Sequence, residues 1–398
     1  MKPVIPRLVQ FPDYKAYWLA PGAHYQAARM DLWWTVLLLG LQLMEVSSQR
    51  QDNDHIKVEI FSENNPNLRA DPNYTRRLAK KLSQGMADFT QSFYLKLASQ
   101  RGSPNFVFSP LSLHSALAML YLGTTTNSTT SEEIANTLGV ANSHEQLKDG
   151  YSEIVNTYKN QDNFLYGNKF WAQNGFLVKP QFNKTVHDNL DSEVDNIDFG
   201  GRDSVREVNK WISQKTGGQI RDMVDSFSHN TQLFIANALY FKEQWQVPFM
   251  DKDIVTGDRV EDDFRTSAGK LIRVPMIQQK SSVILYNEIK TNGLLIEVIT
   301  IPYKNTLFEM HIYLPKNRTE MERLEGLMSR SDKRDLIWNA RPSDNFYFNL
   351  FSRSDQTQSD NFIEEVFLRM PTFKIRKDTD AGQILKGLGV NQVKQFFS

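Results

Sequence analysis

The sequence predicts an α+β fold, with helices gathered in its first half and strands in its second. Apolar residues recur every three or four positions between Leu78 and Ile212, then alternate or run unbroken from Leu233 to Ile375. No regular strand-helix-strand alternation joins the two regimes, which favours α+β over a parallel doubly wound sheet. The 398 residues include no cysteine, so packing alone must hold the fold. The same zero removes thiolate nucleophiles, CxxC redox pairs and cysteine-ligated zinc.

Leu78, Leu82 and Met86, then Phe89, Phe93 and Leu97, stand at i, i+4 spacing on adjoining stripes of one amphipathic helix. Ser109-Pro110 supplies an N-cap and a first-turn proline for a helix carrying Leu113, Leu117 and Leu120 and ending near Gly123. Thr130 with Glu133 forms a capping-box pattern for a short helix through Leu138, stopped by Gly139. A fourth helix carries Val205, Val208, Trp211 and Ile212 and stops at Gly217-Gly218. An early strand is interleaved at 164–173. Leu233 to Phe241 (LFIANALYF) is apolar but for Asn237 and reads as a central strand covered on both faces. Leu294 to Ile301 and Leu307 to Leu314 flank a polar turn at Lys304-Asn305 and read as a hairpin, with Phe308, Met310, Ile312 and Leu314 facing in. Val366, Leu368 and Met370 repeat the period of two before Pro371, and Ser352 to Asp360 reads as a surface loop.

At about 150 residues per domain the length allows two or three domains, although large-sheet folds reach it as one. Forty-six basic residues balance forty-six acidic ones, so no global field draws polyanions or a membrane surface. Nucleic acid is therefore not an expected partner.

Leu32 to Met44 (LWWTVLLLGLQLM) is free of charge and precedes the small residues Ser47 and Ser48, as in a secretory signal core. A membrane anchor is second best, because a spanning helix needs about 20 residues. Translation from Met1 gives a long n-region with Lys2, Arg7, Lys15 and Arg29; translation from Met30 gives one without basic residues. The expected division is an unstructured extension over 1–29, the signal-like segment over 30–48, a polar lead-in over 49–72 and one domain over 73–398. Asn73, Asn127, Asn183 and Asn317 begin Asn-x-Ser/Thr sequons, which would carry glycans in an exported chain; one or two could arise by chance. Sequons and signal core together favour a secreted, extracellular glycoprotein.

No GxSxG, HExxH, GxxxxGK[ST] or GxGxxG motif occurs, so no enzyme and no cofactor or metal is expected. The seven histidines are scattered, and Glu132-Glu133 and Glu364-Glu365 are sequence neighbours that do not face one another. What remains are polar residues in apolar settings: Ser109 and Ser112 at a helix start and Asn237 within a strand. Composition favours reading them as caps and a satisfied core amide, since unsatisfied burial costs about 1–3 kcal/mol; the alternative is a polar seam beneath a sheet.

Ordered motifs supply a further reading. Asn105-Phe106-Val107-Phe108-Ser109-Pro110-Leu111-Ser112, Asn209-Lys210-Trp211-Ile212 with Thr216, Gly218 and Ile220, and the run from Phe234 to Phe249 (FIANALYFKEQWQVPF) resemble successive serpin motifs. Pro302-Tyr303-Lys304 to Tyr313-Leu314-Pro315, and Met370-Pro371 to Leu388-Gly389, complete the series, while Glu243 stands where the family usually has glycine. The resemblance implies the serpin fold, with three β-sheets and eight or nine α-helices, and inhibition of a serine or cysteine protease. In that mechanism a cleaved loop inserts as an extra strand, an established example of strand addition. It would make Ser109, Ser112 and Asn237 shutter residues and Trp245 the breach tryptophan.

No reactive loop, hinge or final strand of the family follows the match to Val366–Ser398, so no reactive-site bond can be named. The expectation is a truncated form, inactive as an inhibitor, exposed at strand edges and marginally folded. The alternative is a non-inhibitory carrier or binding module. A monomer is expected, without a membrane partner once the signal is removed. Heparin is not: Ser143 to Asn160 holds Lys148 and Lys159 against Glu145, Asp149 and Glu153.

Overall fold

The computed structural model describes residues 7–10, 74–99, 106–159, 161, 164–252, 259–265, 270–305, 308–317, 320–328, 366–373 and 381–391. The signal-like segment, the polar lead-in, Asn73 and the loop over 352–360 lie outside them. The described residues form eight α-helices and three β-sheets, an α+β architecture. They fall into two compact units, one of 41–93, 109–242 and 380–398, the other of 1–40, 94–108 and 243–379.

The first unit holds most of helix α1 (Tyr74–Ala98), then α2 (Pro110–Gly123), α3 (Thr129–Leu138), α4 (His144–Tyr158), α5 (Pro180–Leu190) and α6 (Ser204–Lys215). Leu78, Leu82, Met86, Phe89 and Phe93 are all buried, as their spacing requires. Ser109 caps α2 by accepting from the Ser112 amide, with Pro110 in the first turn. The cap of α3 is Ser128, not Thr130: its hydroxyl accepts from the Ser131 amide, leaving Thr130 inside the first turn. Gly139 stops α3 at φ 64°, the left-handed region where a side chain is strained. The last helix, α8 (Ala381–Gly387), is tied to α3 by the Asn391 amide donating to Glu133 Oε2 at 2.9 Å.

The sheet of this unit has the order β3-β2-β4, from β2 (Phe164–Gln173), β3 (Ser192–Ile197) and β4 (Leu233–Phe241). β2 runs parallel to β3 and antiparallel to β4. Trp171 is fully buried and meets Trp211 edge-on at 5.3 Å, so α6 packs through its apolar stripe onto the sheet. The sequence predicts β4 to be central and doubly covered. Among the described residues it is instead an edge strand, with only Ala236 and Ala238 buried in it.

The second unit contains two sheets. β7 (Leu285–Thr291), β8 (Leu294–Pro302) and β9 (Glu309–Pro315) form an antiparallel meander, and Phe308, Met310, Ile312 and Leu314 all face in. Helix α7 (Met321–Met328) packs Met321, Leu324 and Leu327 against Ile296 and Val298. The other sheet has the order β1-β10-β6-β5, from β1 (Arg7–Gln10), β10 (Val366–Pro371), β6 (Leu271–Ser281) and β5 (Glu261–Arg265). β1, four residues without a strand period, pairs in parallel with β10. An edge ladder of this kind is made by backbone groups and asks little of side-chain pattern.

Helices α1 and α3 approach so closely at Gly85 that an added Cβ would lie 2.5 Å from the Gly139 carbonyl oxygen and 2.8 Å from that of Leu138. Both neighbours are backbone and cannot swing away. Gly85→Ala should therefore lower unfolding stability by about 1–3 kcal/mol through overpacking. Gly326→Ala, a helical site with nothing within 4 Å of the new carbon, should raise it by about 1 kcal/mol. Urea midpoints of the two variants check the pair of signs.

Candidate functional site

The polar residues singled out by sequence fall in two groups, Ser109 with Ser112 at the start of α2 and Asn237 with Asn168 and Ser115 where the helix meets the sheet. The Ser112 hydroxyl donates to Ser109 Oγ at 2.8 Å, and the Ser112 amide donates to the same oxygen at 3.2 Å. Asn237 lies directly opposite Asn168 in the β2–β4 register. Its Nδ2 donates to Asn168 Oδ1 and, at 3.4 Å, to Ser115 Oγ. Asn168, fully buried, donates through Nδ2 to the Tyr166 hydroxyl at 2.5 Å. Ser115 donates to the Leu111 carbonyl at 2.7 Å and so ties the cluster to the helix backbone.

Ser115, Asn168 and Tyr166 escape the sequence reading. Asn168 and Ser115 are each 0% exposed, and only the cross-strand register and the turn of α2 bring them beside Asn237. A signal existed: the alternation in β2 places Tyr166 and Asn168 on one face. Burial pushes the Tyr166 hydroxyl up to about 12, even though hydrogen bonds from Ser115 and Asn168 favour its ionised form. It is a neutral phenol at physiological pH. One acceptor in the cluster is unmet: Asn237 Oδ1 is buried and has no hydrogen-bond partner. β4 is paired with β2 along one edge and, among the described residues, with nothing along the other.

Trp245 belongs to the second unit. It stacks on Tyr303 with ring centroids 4.4 Å apart and planes at 11°, and meets Phe249 edge-on at 5.5 Å. The Gln246 amide donates to the Pro302 carbonyl at 3.0 Å and the Lys304 amide to the Gln244 carbonyl at 2.7 Å, which fix the stack from both sides. Burial pushes the Tyr303 hydroxyl up to about 12, with the Glu243 carboxylate adding to the rise. Of the sequons, Asn127, Asn183 and Asn317 are exposed.

Beside Ser115 on α2, His114 is wholly buried. Its Nε2 lies 3.0 Å from the Leu138 carbonyl, which can only accept, so Nε2 carries the proton and Nδ1 accepts from the Tyr151 hydroxyl at 2.5 Å. Burial lowers its pKa from 6.5 to about 4.

The family description "Serpin (serine protease inhibitor)" matches residues 84–396, and the chain belongs to the serpin family. By family its function is of the protease-inhibitor type, not enzymatic. It is 30% identical to chicken (Gallus gallus) neuroserpin over 323 residues, covering 77% of this chain and 71% of that protein. It is 24% identical to serine protease inhibitor 42Dd of Drosophila melanogaster over 311 residues, 76% of this chain and 74% of that one. Human glycosylated kallistatin shares the fold at a TM-score of 0.64 and 23% identity, with 79% of each chain covered.

The unfolded chain protonates His114 below about pH 6.5, whereas the folded chain resists until about 4. Its contribution is therefore whole above pH 6.5 and is lost as pH falls towards 4, a change on the order of 3 kcal/mol. Denaturation midpoints at pH 7.5 and 5.0 should differ in the parent chain. In His114→Leu the chain should be weaker at pH 7.5, because Tyr151 and the Leu138 carbonyl lose their partner, and the difference between the two pH values should shrink.

Proposed function

We propose that the chain is a secreted serpin whose sheet of β3, β2 and β4 accepts an inserted strand along β4, in the service of inhibiting a serine or cysteine protease. The observation that carries this reading is the β4 edge. Its backbone groups are unclaimed by any described strand, and Asn237 Oδ1 beneath it is buried without a partner. An arriving strand would satisfy both needs, and the unmet acceptor costs about 1–3 kcal/mol until it does. Ser109, Ser112 and Asn237 act as the shutter: Ser109 and Ser112 fix the start of α2, and Asn237 bonds the helix through Ser115, which sets the resistance to opening. Trp245 acts as the breach tryptophan, held rigid by its stack on Tyr303 and its edge-on contact with Phe249.

Secretion is supported by the signal-like core and by three sequons exposed on the surface, at Asn127, Asn183 and Asn317. Asn127 lies in the turn before α3 at φ 62°, where a glycan would project from a tight bend. Among the described residues no helix is long and apolar enough to cross a membrane.

Strand acceptance is tested with synthetic peptides about the length of β4, alternating small and apolar residues, added to the full chain. The expected result is a saturable rise in thermal midpoint. A matched peptide with proline at alternate positions lacks the N–H donors and should give none. Equal effects from both peptides, or none from either, would end the strand-acceptor reading. Secretion is tested separately in cultured eukaryotic cells: the chain should appear in the medium and lose mass with an N-glycosidase. An intracellular, unshifted chain would overturn it.

A further inference from the structure

We propose that Asn174, at the tip between β2 and α5, is a self-modifying site where the chain deamidates through a cyclic imide and acquires an isoaspartate. The chemistry needs a side-chain amide without partners, a following backbone nitrogen that is also unbonded and unhindered, and water. Asn-Gly occurs twice in the chain, at Asn174-Gly175 and Asn292-Gly293. The fold treats the two pairs differently.

Asn174 and Gly175 are both exposed, and Leu177 just beyond them is 88% exposed, so the tip stands in water. Among the described residues neither the Asn174 carboxamide nor the Gly175 amide has a hydrogen-bond partner. The tip is shaped by bonds that flank the reacting atoms: the Asn174 amide donates to the Ile197 carbonyl at 2.9 Å and the Phe176 amide to the Gln173 carbonyl at 2.9 Å. Gly175 sits at φ 89°, with nothing within 4 Å of an added Cβ, so a ring can close there without displacing a neighbour. Asn292 is held instead. At φ 49°, with Gly293 at φ 73°, it forms a two-residue turn between the paired Thr291 and Leu294. Its carbonyl accepts from Arg323 Nη2, so ring closure must first unlatch the turn.

In the step proposed, the Gly175 nitrogen gives up its proton and attacks Asn174 Cγ. A bond forms between that nitrogen and Cγ, the bond from Cγ to Nδ2 breaks, and Nδ2 leaves with a proton as ammonia. Water then opens the five-membered imide at one of its two carbonyls. One opening gives aspartate; the other routes the main chain through Cγ and gives isoaspartate. Amide and water go in, acid and ammonia come out. Isoaspartate lengthens the tip by one carbon and adds a negative charge. The tip is tied to β3 by Asn196, whose Nδ2 donates to the Phe176 carbonyl at 3.0 Å and the Gln173 carbonyl at 3.3 Å. Gln173 Nε2 in turn donates to Asp198 Oδ1 at 3.2 Å. Such bonds weaken steeply when distance and angle change, so the lengthened tip lets go of the end of β3.

The test is incubation of the full chain in mildly alkaline buffer, with its peptides mapped by mass and by labelling with an isoaspartate-specific methyltransferase. The peptide holding Asn174 should convert about tenfold sooner than the one holding Asn292, the ratio set by one hydrogen bond broken before ring closure. Conversion should slow in mildly acidic buffer, where less of the Gly175 nitrogen is deprotonated. The thermal midpoint of the chain should fall as isoaspartate accumulates. Asn174→Gln, which would have to close a six-membered ring, should resist conversion and keep its midpoint through the same incubation. Freshly purified Asn174→Asp carries the charge without the extra carbon and should match the unaged parent; a midpoint as low as that of the aged parent would overturn the assignment to the lengthened main chain. Equal rates at the two pairs, or conversion at Asn174 only after unfolding in urea, would overturn the proposal. These readouts need neither secretion nor a protease, so a failure here is distinct from a failure of the proposed function.

Discussion

The pairing of Asn168 with Asn237 across β2 and β4 is the constraint around which the first unit is arranged. Two amides placed opposite one another in the middle of a sheet must bond each other or find partners elsewhere, because the interior offers no water. They do both, and the helix above supplies Ser115 as a third member. That requirement fixes more than one hydrogen bond. A slip of one residue in the β2–β4 register would carry Asn237 to the opposite face and bring an alanine in its place. The polar cluster thus acts as a register pin, at the cost of a weaker seam than an apolar contact would give.

Such a seam differs in kind from the rest of the core. Around Trp171 the packing is apolar, with Trp211, Phe234, Val208 and Ile212 filling the space between α6 and the sheet. Apolar packing is non-directional and tolerates small shifts, whereas the asparagine and serine contacts are lost once geometry changes by an ångström or so. One region of the unit is therefore held by area and the neighbouring one by angle. A sheet that must separate from the helix above it needs the second kind of contact where separation starts.

Much of this was legible in the sequence, and its limits have a physical origin. Periodicity located α1, α2, α6, the β8–β9 hairpin and β10 closely, because each buries one face and the alternation records which. The span of β4 was also readable, since its apolar run coincides with the strand. The cap of α3 was displaced because Thr130 and Glu133 carry the right side chains, while Ser128 is the residue whose backbone is extended. That β4 lies at an edge among the described residues has a different reason: an apolar run reports a demand for burial and does not say where its neighbour lies. Within the site, Ser109, Ser112 and Asn237 drew notice as polar residues in apolar company. Asn168 and Ser115 did not, because the contacts that join them to the cluster span 53 to 122 residues of sequence.

The N-terminal strand sets two readings against each other. β1 precedes the signal-like core in the chain, so cleavage near Ser47-Ser48 would release it together with the leader, and the β10 edge would lose its parallel partner. If the leader is retained or never recognised, β1 stays and the edge remains covered. The edge is chemically the same in both cases: a row of amides and carbonyls that a strand of almost any sequence can meet. β4 presents the same kind of row in the other unit. Among the described residues, each of these edges gains stability from the strand that fills it, through backbone hydrogen bonding alone.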